Sequence, residues 1–494
     1  MSVSRAIEVE RKYAVPDGVA LPSFERVPGV VSVERRAGVH LDAVYVDTED
    51  RALLGAGIVV RRRTGGHDEG WHMKLRGTTG RVELHAPIDP AATDRLPDAF
   101  AAALRSRVRG RPLAPIALIR TERRAVVLVD RDGDGVEVVD DLVSATDVAA
   151  GVLRTWREWE AEQAEDTPVC EALLDRVDGT LRTAGATDSA SPAKIAQALG
   201  LVGSRRSEAP PRTAGAVVVA LVAGHVEELH RGLQSLVLDD DPDGTTVHGL
   251  RKTVRRARSV LAIEGVTGPA GRALRQRLGD LGRLLGELRD PLIAARTAAG
   301  LLDELPAGTP GLDAARALLV DEPAAGLDDR TAALVDRLAG EDVLDLLADL
   351  ERFDPDGPLV DERPKALRPF AEAAVRRARK RSRRGVRGDL DALHRARKAA
   401  KRARFTVEEL VAAGVVPGKS TLVRSAKRDE RAQDVLGEHR DLALLLDALP
   451  AASERLTAAG DNAFALGLIA AAGQRRLARL HRAAERAVRR LDRP

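Results

Sequence analysis

VHGLRKTVRRARSVL, residues 247–261, is written a second time as LHRARKAAKRARFTV, residues 393–407. Wound as a helix at about 100° per residue, the first copy places His248, Arg251, Lys252, Arg255, Arg256 and Arg258 within roughly 160° of arc, with Leu250, Val254, Ala257 and Leu261 opposite. The second copy repeats this with His394, Arg397, Lys398, Lys401, Arg402 and Arg404. Each is a helix with one cationic face and one core face, and Lys427 can extend the second. A run of charge is ordinarily a solvated surface. Its recurrence at the same spacing argues instead for a polyanion site between two matched faces.

Around these copies the apolar residues keep the helical period. Val217 to Leu236, Ala270 to Ala299, Thr331 to Arg352, Leu367 to Arg384, Thr421 to Leu449 and Asn462 to Arg490 all read as amphipathic helices. Asp354 to Pro364, rich in proline and aspartate, separates two helical halves. Upstream, SRRSEAPPRTAG has the composition of a linker. Before it the period changes to two, with strands expected at Ile7 to Tyr13, Ala43 to Asp47, Ile58 to Arg63, Gly70 to Arg76, Arg81 to Ile88, Ile116 to Thr121, Ala125 to Asp130, Val136 to Val139 and Arg154 to Glu162. The expected domains are 1–203, a linker at 204–214, and 215–494.

The 78 basic and 75 acidic residues nearly cancel, so net charge identifies no partner. Aromatic residues make up 2% of the chain, which disfavours a nucleic-acid site built on base stacking. A single cysteine, Cys170, precludes an internal disulfide and fits a reducing compartment. The N-terminus lacks a signal-peptide pattern, and no apolar run approaches the ~20 residues of a membrane span, so a cytoplasmic location is expected. Oligomeric state is left open.

On a strand, alternate side chains share a face. Glu8, Glu10 and Lys12 therefore lie together, as do Arg61 and Arg63, His72, Lys74 and Arg76, Arg81 and Glu83, and Glu158, Glu160 and Glu162. If the sheet closes, these charges fall inside a barrel. Such an interior needs a charged ligand. Arginine and lysine hold phosphate oxygens, while carboxylates suit a hard cation such as Mg²⁺ or Mn²⁺. Two other motifs carry no site: DRDGDG from Asp130 reads as a hairpin turn between strands, and GVVPGKS from Gly414 as an interhelical turn.

Five blocks in order, Glu8-x-Glu10-x-Lys12, YVDTEDRALLGAGIVVRRR from Tyr45, WHMKLR from Trp71, Arg81-Val-Glu83 and Trp156-Arg-Glu158-Trp-Glu160, resemble the CYTH superfamily, the triphosphate tunnel metalloenzymes. ASPAKIAQALG from Ala190 resembles its C-terminal tail. The resemblance implies a closed antiparallel eight-stranded α+β tunnel that binds a linear triphosphate with Mg²⁺ or Mn²⁺ and cleaves a phosphoanhydride bond. It implies Glu8, Glu10 and Lys12 as catalytic residues, and Glu8, Glu10, Glu158 and Glu160 as metal ligands. Arg61, Arg63, Lys74, Arg76, Arg81, Arg120 and Arg123 would bind substrate. The register of the Arg120 to Arg124 run is open by one residue.

Each basic helix is followed by a matched segment, LGELRD from Leu285 and LGEHRD from Leu436. Together with the basic faces, these resemble the CHAD domain. That resemblance implies an all-α domain of two pseudo-symmetric four-helix bundles that binds inorganic polyphosphate through the basic faces, with Glu287, Asp290, Glu438 and Asp441 as ion-pair partners. The expected function is a metal-dependent inorganic triphosphatase with a polyphosphate-binding domain. The alternatives are a non-catalytic polyphosphate-binding protein and a tunnel enzyme acting on an organic triphosphate, of adenylate cyclase or thiamine triphosphatase type.

Overall fold

Strands β1 (Ser4–Glu8) and β2 (Glu10–Ala14) are separated only by Val9, and that junction decides the N-terminal architecture. The others are β3 (Val30–Arg35), β4 (Val39–Asp47), β5 (Val59–Thr64), β6 (Gly70–Arg76), β7 (Arg81–Ala86), β8 (Ala114–Asp130), β9 (Gly135–Asp147), β10 (Val152–Gln163) and β11 (Thr187–Asp188). The hydrogen-bonded order runs β1-β7-β6-β5-β4-β8-β9-β10-β2, every described ladder antiparallel. Because β1 pairs with β7 and β2 with β10, the segment from Ser4 to Ala14 acts as one kinked strand that closes an eight-stranded barrel. Strands β3 and β11 are added at β8 and β2.

The computed structural model describes residues 3–16, 18–76, 81–164, 171–189, 191, 193–201, 210–238, 244–385 and 390–491. The chain divides into two compact units, Met1–Glu208 and Ala209–Pro494. Residues 204–209 of the expected linker lie outside the described residues.

Packing on the outer surface fixes which side chains point inward. Trp159 and Tyr13 are cross-strand partners, both fully buried against Leu173, Leu174, Val177 and Leu181 of a covering helix. The Tyr13 hydroxyl donates to Asp178 at 2.7 Å. Burying each large apolar side chain contributes about 1.5–3 kcal/mol, and a one-residue slip would move both rings into the barrel. The neighbouring pair, Lys12 opposite Glu160, therefore faces the lumen.

Among the described residues, four helices serve this unit: α1 (Ala52–Gly55), α2 (Asp98–Val108), α3 (Glu171–Thr183), the covering helix, and α4 (Lys194–Ala198). The buried Asp47 carboxylate accepts the amides of Thr48 at 2.7 Å and of Leu53 and Leu54 at 2.9 Å. This accounts for the aspartate of YVDTEDRALL: it shapes the turn into the strand that bears Arg61 and Arg63. Asp130 accepts the amides of Asp132 and Asp134, so DRDGDG is a hairpin turn.

Two expectations are corrected by strand length. Residues 116–121 and 125–130 form one strand, β8, because the polar TERR run keeps its alternation, with Thr121 and Arg123 directed inward. Strand β9 extends past Val139 to Asp147, because the charge of Asp141 is met inside by Arg123. The expectations did not include β3.

The second unit is all α, made of α5 (Ala214–Leu238), α6 (Thr245–Val260), α7 (Glu264–Leu302), α8 (Leu312–Arg316), α9 (Glu322–Ala325), α10 (Leu327–Leu338), α11 (Glu341–Glu351), α12 (Arg368–Gly385), α13 (Leu390–Ala412), α14 (Thr421–Ala458) and α15 (Phe464–Leu491). GVVPGKS is the turn before α14, whose first amides include that of Val423, bonded to the Ser420 hydroxyl. The repeats α5–α7 and α12–α14 share one core that includes Val222, Leu250, Val254, Leu278, Val375, Ala403 and Val407. The far ends of α7 and α14 meet α8 and α15 in a second core with Leu302, Leu449 and Ile469. The proline-rich connector is tied back to the first repeat, through Leu359 N to Gly265 O of α7 and Gly215 N of α5 to Val360 O. Among the described residues, no helix is long and apolar enough to cross a membrane.

A buried polar network joins the repeats. His225 of α5 bonds Glu409 of α13 at 3.0 Å, and Arg256 of α6 donates to the other Glu409 oxygen. Burial alone would lower the His225 pKa, but the Glu228 carboxylate 3.5 Å away and the hydrogen-bonded Glu409 raise it to about 9. The pKa lies above that of an unfolded histidine. The resulting stabilisation, on the order of 3 kcal/mol, is therefore complete below about pH 6.5 and lost as pH rises through about 9. Thermal unfolding should show the helical unit losing stability between pH 7 and pH 9.5, as those two pKa limits require. His225→Asn should reduce that slope, and an unchanged slope would contradict the assignment.

Candidate functional site: a polar tunnel and a basic groove

The barrel lumen has two walls of opposite character. On β2, β9 and β10 stand Glu10, Lys12, Asp141, Glu158, Glu160 and Glu162; on β5, β6 and β7 stand Arg61, Arg63, Lys74 and Glu83. Arg123 of β8 lies between them, donating to both Asp141 oxygens at 2.9 and 2.7 Å and to Glu160 at 3.3 Å. The Lys12 ammonium contacts Glu160 and lies 2.9 Å from Glu10. Lys194 enters from α4, its Nζ 3.0 Å from Asp141, 2.6 Å from Glu158 and 2.8 Å from Glu160. On the basic wall, Glu83 accepts from His72 and lies 3.5 Å from Lys74 and 3.7 Å from Arg61, while Arg63 pairs with Asp68.

These neighbours set the protonation states. Burial would raise the Glu160 pKa, yet Lys12, Lys194 and Arg123 hold it well below the usual carboxylate range. Burial, followed by the charge of Glu160, raises Glu162 to about 7. Burial and the charges of Arg61 and Arg123 lower Arg63 to about 9. Burial dominates at His72 and lowers it to about 3, so this imidazole is a neutral hydrogen-bonding group.

Asp141, Glu158 and Glu160 are buried and offer oxygens within 4.8 Å of one another. Three converging carboxylates suit a hard divalent cation. The donor chemistry therefore fits, with Lys194 supplying positive charge to the same oxygens.

In the helical unit α6 and α13 lie side by side, and a groove beside them is lined by Arg251, Arg255, Arg258, Arg397, Lys398, Lys401 and Arg402. Arg275 and Arg283 of α7 and Arg440 of α14 join them. Asp290 holds Arg251 at 2.7 Å. Among the described residues, Arg255 and Lys401 form no ion pair. Burial lowers both pKa values, aided by Arg251 and Arg397 for Arg255, to about 10, and by Arg397 and Arg255 for Lys401, to about 7.

The CYTH domain family matches residues 6–170 and the CHAD domain family residues 220–450. The chain is a CYTH domain followed by a CHAD domain. An uncharacterized protein of Mycobacterium tuberculosis is 30% identical over 496 residues, covering 94% of this chain and 92% of its own. Among solved structures, the CHAD domain of the plant Ricinus communis is 24% identical with a TM-score of 0.46, over 57% of this chain and 93% of that one. A putative adenylate cyclase of Bacillus halodurans is 16% identical with a TM-score of 0.25, over 39% and 97%. CYTH members are metal-dependent triphosphatase and cyclase tunnel enzymes.

The CYTH lumen brings together Glu10, Lys12, Arg61, Arg63, Lys74, Arg123 and Glu160, and Glu158 meets them through Lys194. Arg120 is a correction: its side chain is 85% exposed outside the barrel and pairs with Asp42 at 3.0 Å, whereas Arg123 is 16% exposed inside. Inward Ile119, Thr121 and Arg123 set that register. Glu8, Arg76 and Arg81 sit on β1, β6 and β7, with side chains outside the described residues.

In the CHAD unit the centres of the two faces match and their flanks do not. Arg251 and Arg397, and Arg255 and Lys401, line the groove as counterparts. Arg256 is corrected to a structural role by its bonds to Glu408 and Glu409. Arg404 is likewise drawn away, to Glu408 and Glu430 and over the Phe405 ring. Lys252 and Lys427 are exposed and do not line the groove. His248 is outside the lining but senses it: burial and the charges of Arg289, Arg255 and Lys401 lower its pKa. The His394 side chain is outside the described residues. Glu287 and Glu438 pair with Arg337 and Arg476 rather than with the basic faces.

Lys194, Asp141 and Glu162 were absent from the expected site. The ASPAKIAQALG stretch held the signal for Lys194, as the only lysine of a tail already matched. Glu162 shares the face of Glu158 and Glu160, whereas Asp141 followed an apparent strand end. Arg123→Ala should weaken tripolyphosphate binding about tenfold or more, and Arg120→Ala should change it by less than about twofold, since charge-assisted hydrogen bonds act only where the ligand sits. Calorimetric titration checks both; the reverse order would overturn the register.

Proposed function

We propose that the tunnel hydrolyses inorganic triphosphate or short polyphosphate with a bound Mg²⁺ or Mn²⁺, and that the helical unit binds longer inorganic polyphosphate. The observation that carries this reading is the division of charge within one lumen, with Arg61, Arg63 and Lys74 on one wall and Glu10, Glu160 and Glu162 on the other. A phosphate chain has non-bridging oxygens along its whole length, so a row of guanidinium and ammonium groups can hold it without recognising a base or sugar. Asp141, Glu158, Glu160 and Glu10 are the candidate metal holders, with Glu8 added by the CYTH motif. When bound, the metal would offset charge on the phosphoryl oxygens.

The chain's own residues then divide the work. Arg61, Arg63, Lys74 and Arg123 orient the chain and stabilise negative charge on the departing phosphate. A water oxygen bonds to phosphorus as the bridging P–O bond breaks. Glu162, with its pKa raised to about 7, is suited to take the proton released by that water. In the groove, four central cations repel one another, which supports a role in binding an extended polyanion.

Phosphate release from tripolyphosphate should require Mg²⁺ or Mn²⁺, and Glu8→Gln combined with Glu10→Gln should lower it by about 100-fold or more. Turnover retained in the double variant would sink the tunnel reading. Faster turnover of ATP or thiamine triphosphate would move the assignment to an organic triphosphate.

For the groove, the full chain carrying Arg251→Ala, Arg255→Ala, Arg397→Ala and Lys401→Ala should bind long-chain polyphosphate about tenfold or more weakly, with a shallower salt dependence. A polyanion favours charged Lys401, so binding by the unmodified chain should take up protons and weaken as pH rises through about 7. Equal affinity and an equal salt slope in the quadruple variant would refute the groove.

A further inference from the structure

Lys194 has three ammonium hydrogens and three buried carboxylates within reach: Asp141 at 3.0 Å, Glu158 at 2.6 Å and Glu160 at 2.8 Å. These are the same three groups whose oxygens converge within 4.8 Å. The ammonium thus occupies the place where an oxygen-bound cation would satisfy all three acids. A divalent ion drawn to these three acids would compete with the ammonium, because the two positive charges repel in a site shielded from water.

The support beneath the lysine lets its side chain leave without the helix. Ile195, Ala198 and Leu199 pack in a core with Ala43, Ile119 and Val143, anchoring α4 to the barrel wall. Lys194 also borders the lumen shared with Arg61, Arg63 and Lys74.

We propose that Lys194 is a tethered counter-ion that fills the Asp141, Glu158 and Glu160 cage in the metal-free protein, gives way to a divalent cation, and turns its ammonium onto the bound phosphate chain. Metal entry would then create a phosphate-binding cation at the moment the cage is filled, favouring the order metal first, phosphate second. The inference rests on the metal-dependent reading of the tunnel but does not require turnover.

Mn²⁺ titrated into the full chain without phosphate, followed by calorimetry and by the electron paramagnetic resonance of free Mn²⁺, tests the exchange. Lys194→Met removes the competing charge, so its Kd for Mn²⁺ should fall about tenfold or more. An unchanged or weaker affinity in a folded variant overturns the proposal. A measurement on the unmodified chain does not depend on the variant folding: reductive methylation by formaldehyde and cyanoborohydride, mapped by mass spectrometry. Lys194 should be protected in EDTA, react faster with Mn²⁺, and be protected again when imidotriphosphate is added with the metal. An equal or slower rate with Mn²⁺ refutes the exchange, and continued reactivity with the analogue refutes the transfer to phosphate. Hydrolysis enters none of these readouts, so a chain that passes them but leaves tripolyphosphate intact would fail only the functional reading.

Discussion

Charge cancellation inside a closed barrel is the constraint from which the N-terminal unit follows. Carboxylates removed from water are tolerable only when paired and hydrogen-bonded. Asp141 and Glu160 meet that condition through Arg123, Lys12 and Lys194, which arrive from three different elements, while Glu158 lies beside Lys194 and accepts from the Trp156 indole, and burial still raises its pKa. Strand β8 must run uninterrupted through its polar middle to deliver Arg123, and α4 must pack against the barrel to deliver Lys194. The outer layer then locks the arrangement, because Trp159 and Tyr13 can be buried under α3 only in the register that turns Glu160 and Lys12 inward.

The helical unit uses the opposite arrangement. Its central cations face one another with few carboxylates between them, and the cost appears in the depressed proton affinities of Arg255 and Lys401. Acids are present nearby but are committed elsewhere: Glu408 and Glu409 hold Arg256, Glu287 holds Arg337 and Glu438 holds Arg476. The tunnel is near balance before any ligand arrives, whereas the groove keeps an excess of positive charge for a partner to neutralise.

The broad architecture was legible because it rests on period. The change from two-residue alternation to a helical repeat separates the units, and the duplicated basic helix announces two matched repeats. Individual side chains were less legible where one residue of register or one partner decides direction. Arg120 and Arg123 look alike in the sequence, and only the pleat of β8 separates them. Arg256 and Arg404 have the spacing of groove residues, but carboxylates distant in sequence, or on the next helical turn, draw them away. The tail match quoted Lys194 without giving it a task, because its three partners converge only once β9 and β10 are paired.

Closure at Val9 has a consequence for how the barrel assembles. One short segment supplies the hydrogen-bonding edge for both β7 and β10, and its Lys12 meets Glu160, 148 residues further along the chain. During synthesis the segment cannot complete the circle until β10 has emerged. Contacts of such separation slow folding. Until then the barrel has two open edges able to pair with other chains, and Glu158 and Glu160, which arrive with β10, wait longer still for Lys194. The last residues of the unit to be made are thus needed to settle the first, so folding of the tunnel is in effect governed from its C-terminal end.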